Sequence, residues 1–388
     1  MGSILIALTG LSAVIWLYLL VARHGFWRCD QRLTDAPAPP TWPRVVALVP
    51  ARDEAETIEA CVRSLASQDY PGDLRIVVVD DSSRDATASI VKQVAESAER
   101  PVTVVSGSPL AAGWTGKLWA LDQGVRAAAN DADFLWFTDA DIVHEPGVLR
   151  GLVAKAMSEN RALVSLMVRL RCEGFWERIL IPAFVFFFQK LYPFAAINDS
   201  TSRVAGAAGG CVLIRREALE AIGGLATIRD RLIDDCALAK AVKSTGRPIW
   251  LGLADDSCSL RAYDRLEDIW DMVARTAFTQ LDHSWAKLAG TVVGMVLLYL
   301  LPVLVVLTAP LHHIWTAAGL GALTWILMSL AYTPTLAYYR RPPLLGVIGL
   351  PLAGLLYTAM TVSSAWRHLA GRGGRWKDRH YESLTQRP

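Results

Sequence analysis

The apolar residues of this chain are concentrated at its two ends, and this distribution constrains the fold more than any other sequence feature. Apolar residues make up 53% of the sequence, and the mean hydropathy is +0.30. One nearly unbroken apolar run covers residues 4–21, and three more cover about 288–307, 314–332 and 344–362. Helices of this length cross most or all of a bilayer core. We therefore predict an N-terminal membrane anchor over 1–22 and C-terminal membrane helices over 285–365.

The charges that flank these runs predict which side of the membrane they face. No charge precedes the first run, whereas Arg23 and Arg28 follow it, which indicates a retained anchor with a cytosolic domain behind it. Arg340 and Arg341 agree with this orientation. The basic tail over 366–388 also favours the cytosol, although three complete C-terminal crossings would place it outside. We therefore expect that one of these segments does not cross, and the last run, which contains Gly349-Leu350-Pro351, is the candidate for a re-entrant segment.

The stretch between the membrane segments has the composition of a soluble α/β domain. A proline-rich linker over 23–44 leads into short apolar runs at 45–49, 76–79, 102–105 and 134–137, which alternate with amphipathic helical patterns. This order predicts a mostly parallel sheet with helices on both faces, in a cytosolic domain over 45–284. Ligands bind beyond the carboxyl ends of the strands in such folds. The net charge of +2 gives no reason to expect a nucleic-acid partner.

Acidic pairs follow two of the predicted strands, at the carboxyl ends where ligands bind in such folds. Asp80-Asp81 follows the second run, and Asp139 and Asp141 follow the fourth. Carboxylates placed this way favour Mg²⁺ or Mn²⁺ shared with substrate phosphates, although acidic turns are also common without any ligand. Asp234-Asp235 opens a predicted helix, where an acidic residue also serves as a helix cap. Asp255-Asp256 is predicted to lie in a loop.

Two phosphate-binding patterns are excluded. Gly113 to Lys117 ends like a phosphate-binding loop, but Ala111 stands at the first glycine position and Leu118 replaces the serine or threonine. The first strand is not followed by a G-x-G-x-x-G pattern, which argues against a dinucleotide oxidoreductase. Lys117 itself is still expected to contact the substrate.

Taken in order, the motifs of residues 45–282 resemble those of the family 2 glycosyltransferases, which are inverting and have a GT-A fold. The motifs are Val49-Pro50-Ala51-Arg52-Asp53-Glu54, Val79 to Thr87, Asp139-Ala140-Asp141, Gly209-Gly210-Cys211 and Asp234-Asp235. The apolar ends and the motif over 374–381 make the whole chain similar to the hopanoid-biosynthesis-associated branch. The ceramide- and carotenoid-glycosylating members look similar.

This resemblance implies roles for individual residues. Pro50, Ala51, Arg52 and Glu54 are expected in the nucleotide pocket, and either Asp80 or Asp81 at the base or ribose. The resemblance implies that Asp139 and Asp141 hold the diphosphate through a divalent metal and that Asp235 is the catalytic base. Gly209, Gly210 and Asp234 are also expected to contact the donor. Processive members carry Q-x-x-R-W where this chain has 272–276, so only Arg275 is retained; it is expected to contact the diphosphate or to be a solvated helix charge.

The expected acceptor is a lipid. Residues 174–197 form an intensely apolar stretch that is short for a crossing, so we expect an interfacial segment, with a buried core helix as the alternative. The predicted function is the transfer of a sugar from a nucleotide donor to a lipid hydroxyl at a bacterial-type inner membrane. The resemblance implies a UDP-linked donor and a hopanoid as the acceptor. Two alternatives stay open. One is a polyprenyl-phosphate sugar synthase, for which Arg169, Arg171 and Arg203 are the candidate acceptor contacts; the other is a membrane-tethered nucleotide- or sugar-binding protein without turnover.

Overall fold

The structure is a computed structural model that describes residues 2–128 and 132–371, together with the backbone of 375–376 and 379–380. The chain divides into two compact units. The helical unit comprises the described residues of 1–30, 172–195 and 263–374, and the sheet unit comprises those of 31–171, 196–262 and 375–388. Beyond residue 371, the predicted basic tail and the motif over 374–381 lie outside the described residues, except for the backbone of two short strands.

The sheet unit is built on one mixed sheet of eight strands in the order β3-β2-β1-β4-β7-β6-β8-β5. Strands β3, β2, β1 and β4 are parallel, as are β6 and β8, whereas β7 is antiparallel to both of its neighbours and β5 is antiparallel to β8. The predicted α/β fold is therefore confirmed, and its first half has the predicted parallel order. The strands are β1 Val45–Ala51, β2 Leu74–Asp80, β3 Val102–Ser106, β4 Phe134–Thr138, β5 Ile142–His144, β6 Leu163–Arg169, β7 Cys211–Arg215 and β8 Ile249–Ser259.

The helices follow in chain order. They are α1 Gly2–Val21, α2 Ile58–Ala66, α3 Thr87–Ser97, α4 Gly116–Ala127, α5 Val148–Ser158, α6 Phe175–Leu191, α7 Phe194–Asn198, α8 Arg216–Ala221, α9 Asp234–Ser244, α10 Leu266–Ala274, α11 Ala277–Gln280, α12 Trp285–Met295, α13 Leu301–Leu307, α14 Ala309–His312, α15 Trp315–Tyr338 and α16 Leu345–Leu369. A π-helical segment, Val296–Leu300, joins α12 to α13. The short strands β9 Arg375–Trp376 and β10 Arg379–His380 pair with each other.

Close packing between helix α4 and the sheet fixes the position of Lys117, which lies in the first turn of that helix. Strand β1 is buried along its whole length, as its continuous apolar run predicts. A Cβ on Gly124 would lie 3.1 Å from Val79 and 3.2 Å from Leu48, so a larger residue there would press on the side chains of β1 and β2. The helix therefore places its N-terminal residues beyond the ends of these parallel strands.

Strand β8 corrects one prediction. Asp255 and Asp256 lie inside this strand and not in a loop. The strand continues because β6 and β5 pair with it on its two sides. The carboxylate of Asp255 forms ion pairs with Arg32 and Arg169, which offset the cost of an acidic residue in a sheet.

The sheet unit is smaller than the predicted domain over 45–284. Residues 172–195 and 263–284 belong to the helical unit. The reason is packing, since Leu180, Phe186 and Ile269 lie in one buried apolar cluster with Tyr299 and Tyr332. Helix α6 is largely buried, although Phe175 at its start is 68% exposed. Whether residues 174–197 form an interfacial segment or a core helix stays a prediction.

Four helical segments of the helical unit are long and apolar enough to cross a membrane: Gly2–Val21, Trp285–Leu307, Trp315–Tyr338 and Leu345–Leu369. The expected break in the last segment is absent, because α16 runs continuously through Pro351. Its glycines serve packing, since a Cβ on Gly354 would lie 2.9 Å from the side chain of Tyr299. The irregular segment is instead the second one, with its π-helical turns.

The first helix is hydrogen-bonded to this irregular segment. The Ser12 hydroxyl donates to the carbonyl of Leu297 at 2.8 Å, and Nε1 of Trp16 donates to the carbonyl of Leu298 at 3.0 Å. A π-helical turn shifts the backbone hydrogen-bond pattern and makes carbonyls available to side chains. The predicted anchor is therefore an integral part of the helical unit.

Candidate active site

Two acidic segments of the sheet unit are linked through Lys117. The ammonium of Lys117 lies 2.6 Å from Oδ1 of Asp139, which follows β4, and 3.7 Å from Oδ2 of Asp234, which opens α9. The next residue, Asp235, accepts a hydrogen bond at Oδ2 from the backbone N–H of Gly209 at 2.8 Å. The structure thus brings together five residues that sequence analysis had selected from separate parts of the chain: Lys117, Asp139, Gly209, Asp234 and Asp235.

Asp235 is held by the backbone at both carboxylate oxygens. Besides the Gly209 contact, Oδ1 accepts a hydrogen bond from the backbone N–H of Cys236 at 2.7 Å. Burial and the neighbouring charge of Asp234 raise the pKa of Asp235 to about 6, against the opposing influence of Lys117 and the two backbone donors. A carboxylate with this pKa is a stronger base than an ordinary aspartate and is still ionised at neutral pH.

Lys117 and Asp235 approach the backbone of Gly209 closely. A Cβ at this position would lie 3.1 Å from Nζ of Lys117 and 3.4 Å from Oδ2 of Asp235. A Cβ on Gly210 would lie 3.0 Å from Val168. The two glycines therefore let a backbone segment pass directly beside the charged cluster.

The electrostatics of the cluster couple Asp139 to Lys117. Burial raises the pKa of Asp139, the charges of Asp141 and Asp234 raise it further, and Lys117 lowers it. Burial opposes the charge of Lys117, but Asp139 and Asp234 outweigh it and raise the pKa of that ammonium above its usual range. Lys117 is therefore a fixed positive charge among crowded carboxylates.

Arg261 organises the other side of the cluster and was missed by sequence analysis. Its Nε lies 3.1 Å from Oδ2 of Asp141, and its Nη2 lies 2.8 and 3.1 Å from the two carboxylate oxygens of Glu54. The Ser259 hydroxyl also donates to Oδ2 of Asp141, at 2.8 Å. Arg261 follows the end of β8, so a correct reading of that strand's length would have directed attention to it.

The predicted nucleotide contacts lie at the ends of β1 and β2. Pro50 and Ala51 are the last residues of β1, and both are buried. Arg52 is 6% exposed, donates from Nη1 to the backbone carbonyl of Asp81 at 2.6 Å, and lies 3.9 Å from its carboxylate. Asp81 is fully buried, whereas Asp80 is half-buried and accepts a hydrogen bond from the backbone N–H of Ser83. Asp80 is the more accessible of the two.

Arg275 is the one predicted donor contact that belongs to the other unit. It belongs to the helical unit and is exposed at the C-terminal end of α10. Its exposure is what the alternative of a solvated helix charge predicts. A contact between Arg275 and the diphosphate stays a prediction.

The donor set fits a divalent cation in chemistry and charge. Within residues 2–128 and 132–371, three or more metal-ligating side chains do not gather around one point. Asp139 is paired with Lys117, and Asp141 with Arg261. Nevertheless, the carboxylates of Glu54, Asp139, Asp141, Asp234 and Asp235 outnumber the two cations paired with them. Crowded carboxylate oxygens of this kind are what Mg²⁺ and Mn²⁺ prefer.

Residues 46–223 match the family model described as glycosyl transferase family 2. The chain is 28% identical to an N-acetylglucosaminyltransferase of Mesorhizobium japonicum over 48% of this chain and 42% of that protein. It is also 28% identical to the β-monoglucosyldiacylglycerol synthase of Synechocystis, over 58% of this chain and 45% of that protein. The chain therefore spans less than half the length of these curated relatives.

A solved structure shares the fold over almost the whole chain. It is the mannosyltransferase PcManGT from Pyrobaculum calidifontis in complex with GDP-Man and Mn²⁺. The TM-score is 0.60 at 21% identity, and the alignment covers 97% of this chain and 99% of that one. At this level of identity the likeness shows the fold, a GT-A sheet with apolar helices at both ends of the chain.

Proposed function

We propose that this chain, which carries a glycosyl transferase family 2 domain over residues 46–223, moves a sugar from a nucleotide donor to the hydroxyl of a lipid. One observation carries this proposal. Asp235, a carboxylate with a pKa of about 6, is held beside the Lys117–Asp139 ion pair at the rim of the sheet. A base and a cation-binding carboxylate in one cluster are the two groups that such a transfer needs.

Asp235 acts as the general base. It removes the proton of the acceptor hydroxyl while the acceptor oxygen forms a bond to the anomeric carbon and the bond from that carbon to the diphosphate oxygen breaks. The proton ends on Asp235, and the nucleoside diphosphate leaves. A single displacement of this kind inverts the configuration at the anomeric carbon, as the resemblance to inverting enzymes implies. The hydrogen bonds from Gly209 and Cys236 keep the carboxylate in one orientation during the step.

Asp139 and Asp141 are the residues that would hold a divalent cation. Such a cation, when bound, stabilises the negative charge of the leaving diphosphate. Arg261 and Ser259 orient Asp141, and Lys117 restrains Asp139 until the donor arrives. Lys117 lies beside the carboxylates that would hold the cation. Its ammonium would therefore also lie near the diphosphate and could pair with a phosphate oxygen.

The nucleotide occupies the ends of β1 and β2. Asp80 is the carboxylate that a base or ribose reaches without rearrangement, since Asp81 is buried against Arg52. The resemblance favours UDP, whereas PcManGT is described with GDP-Man. Donors with both bases therefore belong in the test.

A lipid acceptor is supported by composition and by a relative. Four helical segments are apolar and long enough to cross a membrane, and the β-monoglucosyldiacylglycerol synthase is named for a lipid product. The charges of Arg23 and Arg28 support a cytosolic sheet unit in a multi-pass inner-membrane protein. A hopanoid acceptor rests on the resemblance of the whole chain to that branch.

The experiment uses full-length protein in detergent with UDP- and GDP-linked sugars and total membrane lipid. We expect release of nucleoside diphosphate and one lipid whose mass increases by one sugar residue, and we expect neither with Asp235→Asn. Donor binding without release of nucleoside diphosphate would instead identify a binding protein without turnover. A sugar-carrying polyprenyl phosphate as the product would identify the phosphate-acceptor alternative, although one of its candidate contacts, Arg169, is already paired with Asp255.

A further inference from the structure

A second cluster of positive charge lies in the helical unit, where α1, α6 and the π-helical segment meet. Lys190, in the last turn of α6, donates a hydrogen bond from Nζ to the hydroxyl of Tyr299 at 2.9 Å. The same ammonium lies 5.2 Å from the ring centre of Phe187 and 4.8 Å from that of Tyr299. Arg23, two residues after α1, donates to the backbone carbonyls of Lys190 and Leu191 at 3.3 to 3.4 Å.

Among the described residues, this cluster lacks a negative charge of its own. In the part of the chain that the structure describes, neither Arg23 nor Lys190 forms an ion pair with a carboxylate. Burial lowers the pKa of Lys190 to about 8, and the charge of Arg23 contributes to this shift. Two cations held together in an apolar setting are costly unless an anion joins them.

Both cations keep donors for such an anion. Arg23 uses Nε and Nη2 for the end of α6, and Lys190 uses one N–H for Tyr299, which leaves Nη1 and two ammonium hydrogens without protein acceptors among the described residues. Each side chain is half-buried and therefore within reach of a ligand. Capping of α6 by Arg23 explains part of this arrangement, but it gives Lys190 no counter-charge.

The surroundings indicate where the anion comes from. Arg23 follows the apolar helix α1 on the side predicted to be cytosolic, and Tyr299 lies within the apolar segment Trp285–Leu307. Basic pockets between membrane helices on that side bind the phosphate of lipid head groups. A soluble anion would have to leave water and enter between apolar helices. A membrane lipid already lies beside such helices and carries its phosphate at the head-group level.

We propose that Arg23 and Lys190 bind the phosphate group of a membrane lipid and that Tyr299 positions Lys190 for this contact. This site shares no residue with the carboxylate cluster, so it goes beyond the proposed transfer reaction. The phosphate belongs either to a resident anionic phospholipid or to a phosphate-bearing acceptor such as a polyprenyl phosphate.

The test measures lipid binding to the full-length protein in neutral detergent, without any sugar donor. Phosphatidylglycerol in mixed micelles is expected to raise the unfolding temperature, and phosphatidylcholine is not. Lys190→Gln is expected to raise the Kd for phosphatidylglycerol about fivefold. This factor corresponds to about 1 kcal/mol, the contribution of one cation near an anionic lipid head group. Arg178→Gln, which removes an exposed cation from the same helix, is the matched control and is expected to behave as wild type.

Equal stabilisation by both lipids, or wild-type binding by Lys190→Gln, would overturn the proposal. If Lys190→Gln does not fold, Arg23→Gln and Tyr299→Phe replace it, and wild-type binding by both would be equally decisive. Competition by polyprenyl phosphate separates the two sources. If the site binds a phosphate-bearing acceptor, polyprenyl phosphate should displace phosphatidylglycerol. If the site binds a resident phospholipid, phosphatidylglycerol should stay bound. Since no donor is present, failure of the transfer reaction leaves this result unaffected.

Discussion

The ammonium of Lys117 lies 2.6 Å from Oδ1 of Asp139, the carboxylate that we expect to share a divalent cation with the donor. Lysine and metal therefore compete for the same oxygen. In the absence of donor, Lys117 reduces the repulsion among Asp139, Asp234 and Asp235, since it is the cation nearest to these carboxylates.

This competition predicts how Lys117→Met behaves. Without nucleotide, the variant should bind Mn²⁺ roughly tenfold more tightly, equivalent to about 1.4 kcal/mol, because a repelling charge is gone. Its rate of sugar transfer should fall at the same time. Titration followed by electron paramagnetic resonance measures the free metal, and Lys92→Met, an exposed lysine on α3, is the control. Weaker Mn²⁺ binding by Lys117→Met would contradict the arrangement.

Asp235→Asn should abolish the base and leave the donor site in place. We expect kcat to fall by about 10² to 10⁴, with the nucleotide Kd changed only a few-fold. The asparagine oxygen still accepts one of the two backbone hydrogen bonds, so the local fold should persist. Single-turnover assays and calorimetric nucleotide titration measure the two effects, and Asp230→Asn, on an exposed residue, is the comparison. Transfer within a few-fold of wild type would exclude Asp235 as the base.

The pKa of Asp235 predicts an acidic limit for the reaction. Because this pKa is raised to about 6, the base gains a proton and kcat/KM falls as the pH drops below that value. Asp234→Asn removes the like charge that helps to raise the pKa of Asp235, so the acidic limb should move down by roughly one pH unit. The acidic limb of the wild type and its shift in Asp234→Asn are both measured by a profile of kcat/KM from about pH 4.5 to about pH 8, which covers the usual titration range of raised carboxylates and histidine. An unmoved limb in the variant would assign it to another group.

Removal of divalent metal should stop transfer. Excess chelator is expected to abolish transfer, and added Mg²⁺ or Mn²⁺ is expected to restore it. Without a cation, the carboxylates of Asp139 and Asp141 would repel the negative charge of the leaving diphosphate. Asp141→Asn should raise the Mn²⁺ concentration needed for half-maximal activity by roughly tenfold or more. Full activity in excess chelator would remove the metal from the mechanism.

Arg261→Met should loosen two parts of the site at once. The guanidinium connects Glu54 to Asp141, so its loss should raise the Kd for the donor roughly tenfold while the pH limit set by Asp235 stays in place. Arg265→Met, at the exposed start of α10, is the control. Unchanged donor affinity would show that Arg261 has only a structural role.

The sequence was most informative where structure depends on neighbours in the chain. Strands β1 and β2 and helix α2 follow from local apolar patterns, and the acidic residues after β4 follow from strand order. The start of α9 follows from its local helical pattern, whereas the role of its two aspartates came from the family resemblance. The antiparallel insertion of β7 between β4 and β6 depends on pairing across a long stretch of chain. No local pattern specifies such pairing.

Two other features depended on long-range contacts in the same way. Arg261 was missed because β8 was taken to end before Asp255, where partner strands on both sides in fact extend it. The membership of 172–195 and 263–284 in the helical unit depends on packing against apolar helices far away in the chain. Composition alone does not reveal that packing.

The hydrogen bonds from α1 to the π-helical segment bear on how the protein can be prepared. A shortened chain that starts after residue 22 would lose the Ser12 hydroxyl and the Trp16 indole, leaving the carbonyls of Leu297 and Leu298 without these donors among apolar side chains. Tyr299 would also lose the edge-on ring contact with Trp16. Truncation for the sake of solubility is thus expected to yield aggregated material, and purification should begin from intact chains in detergent or lipid.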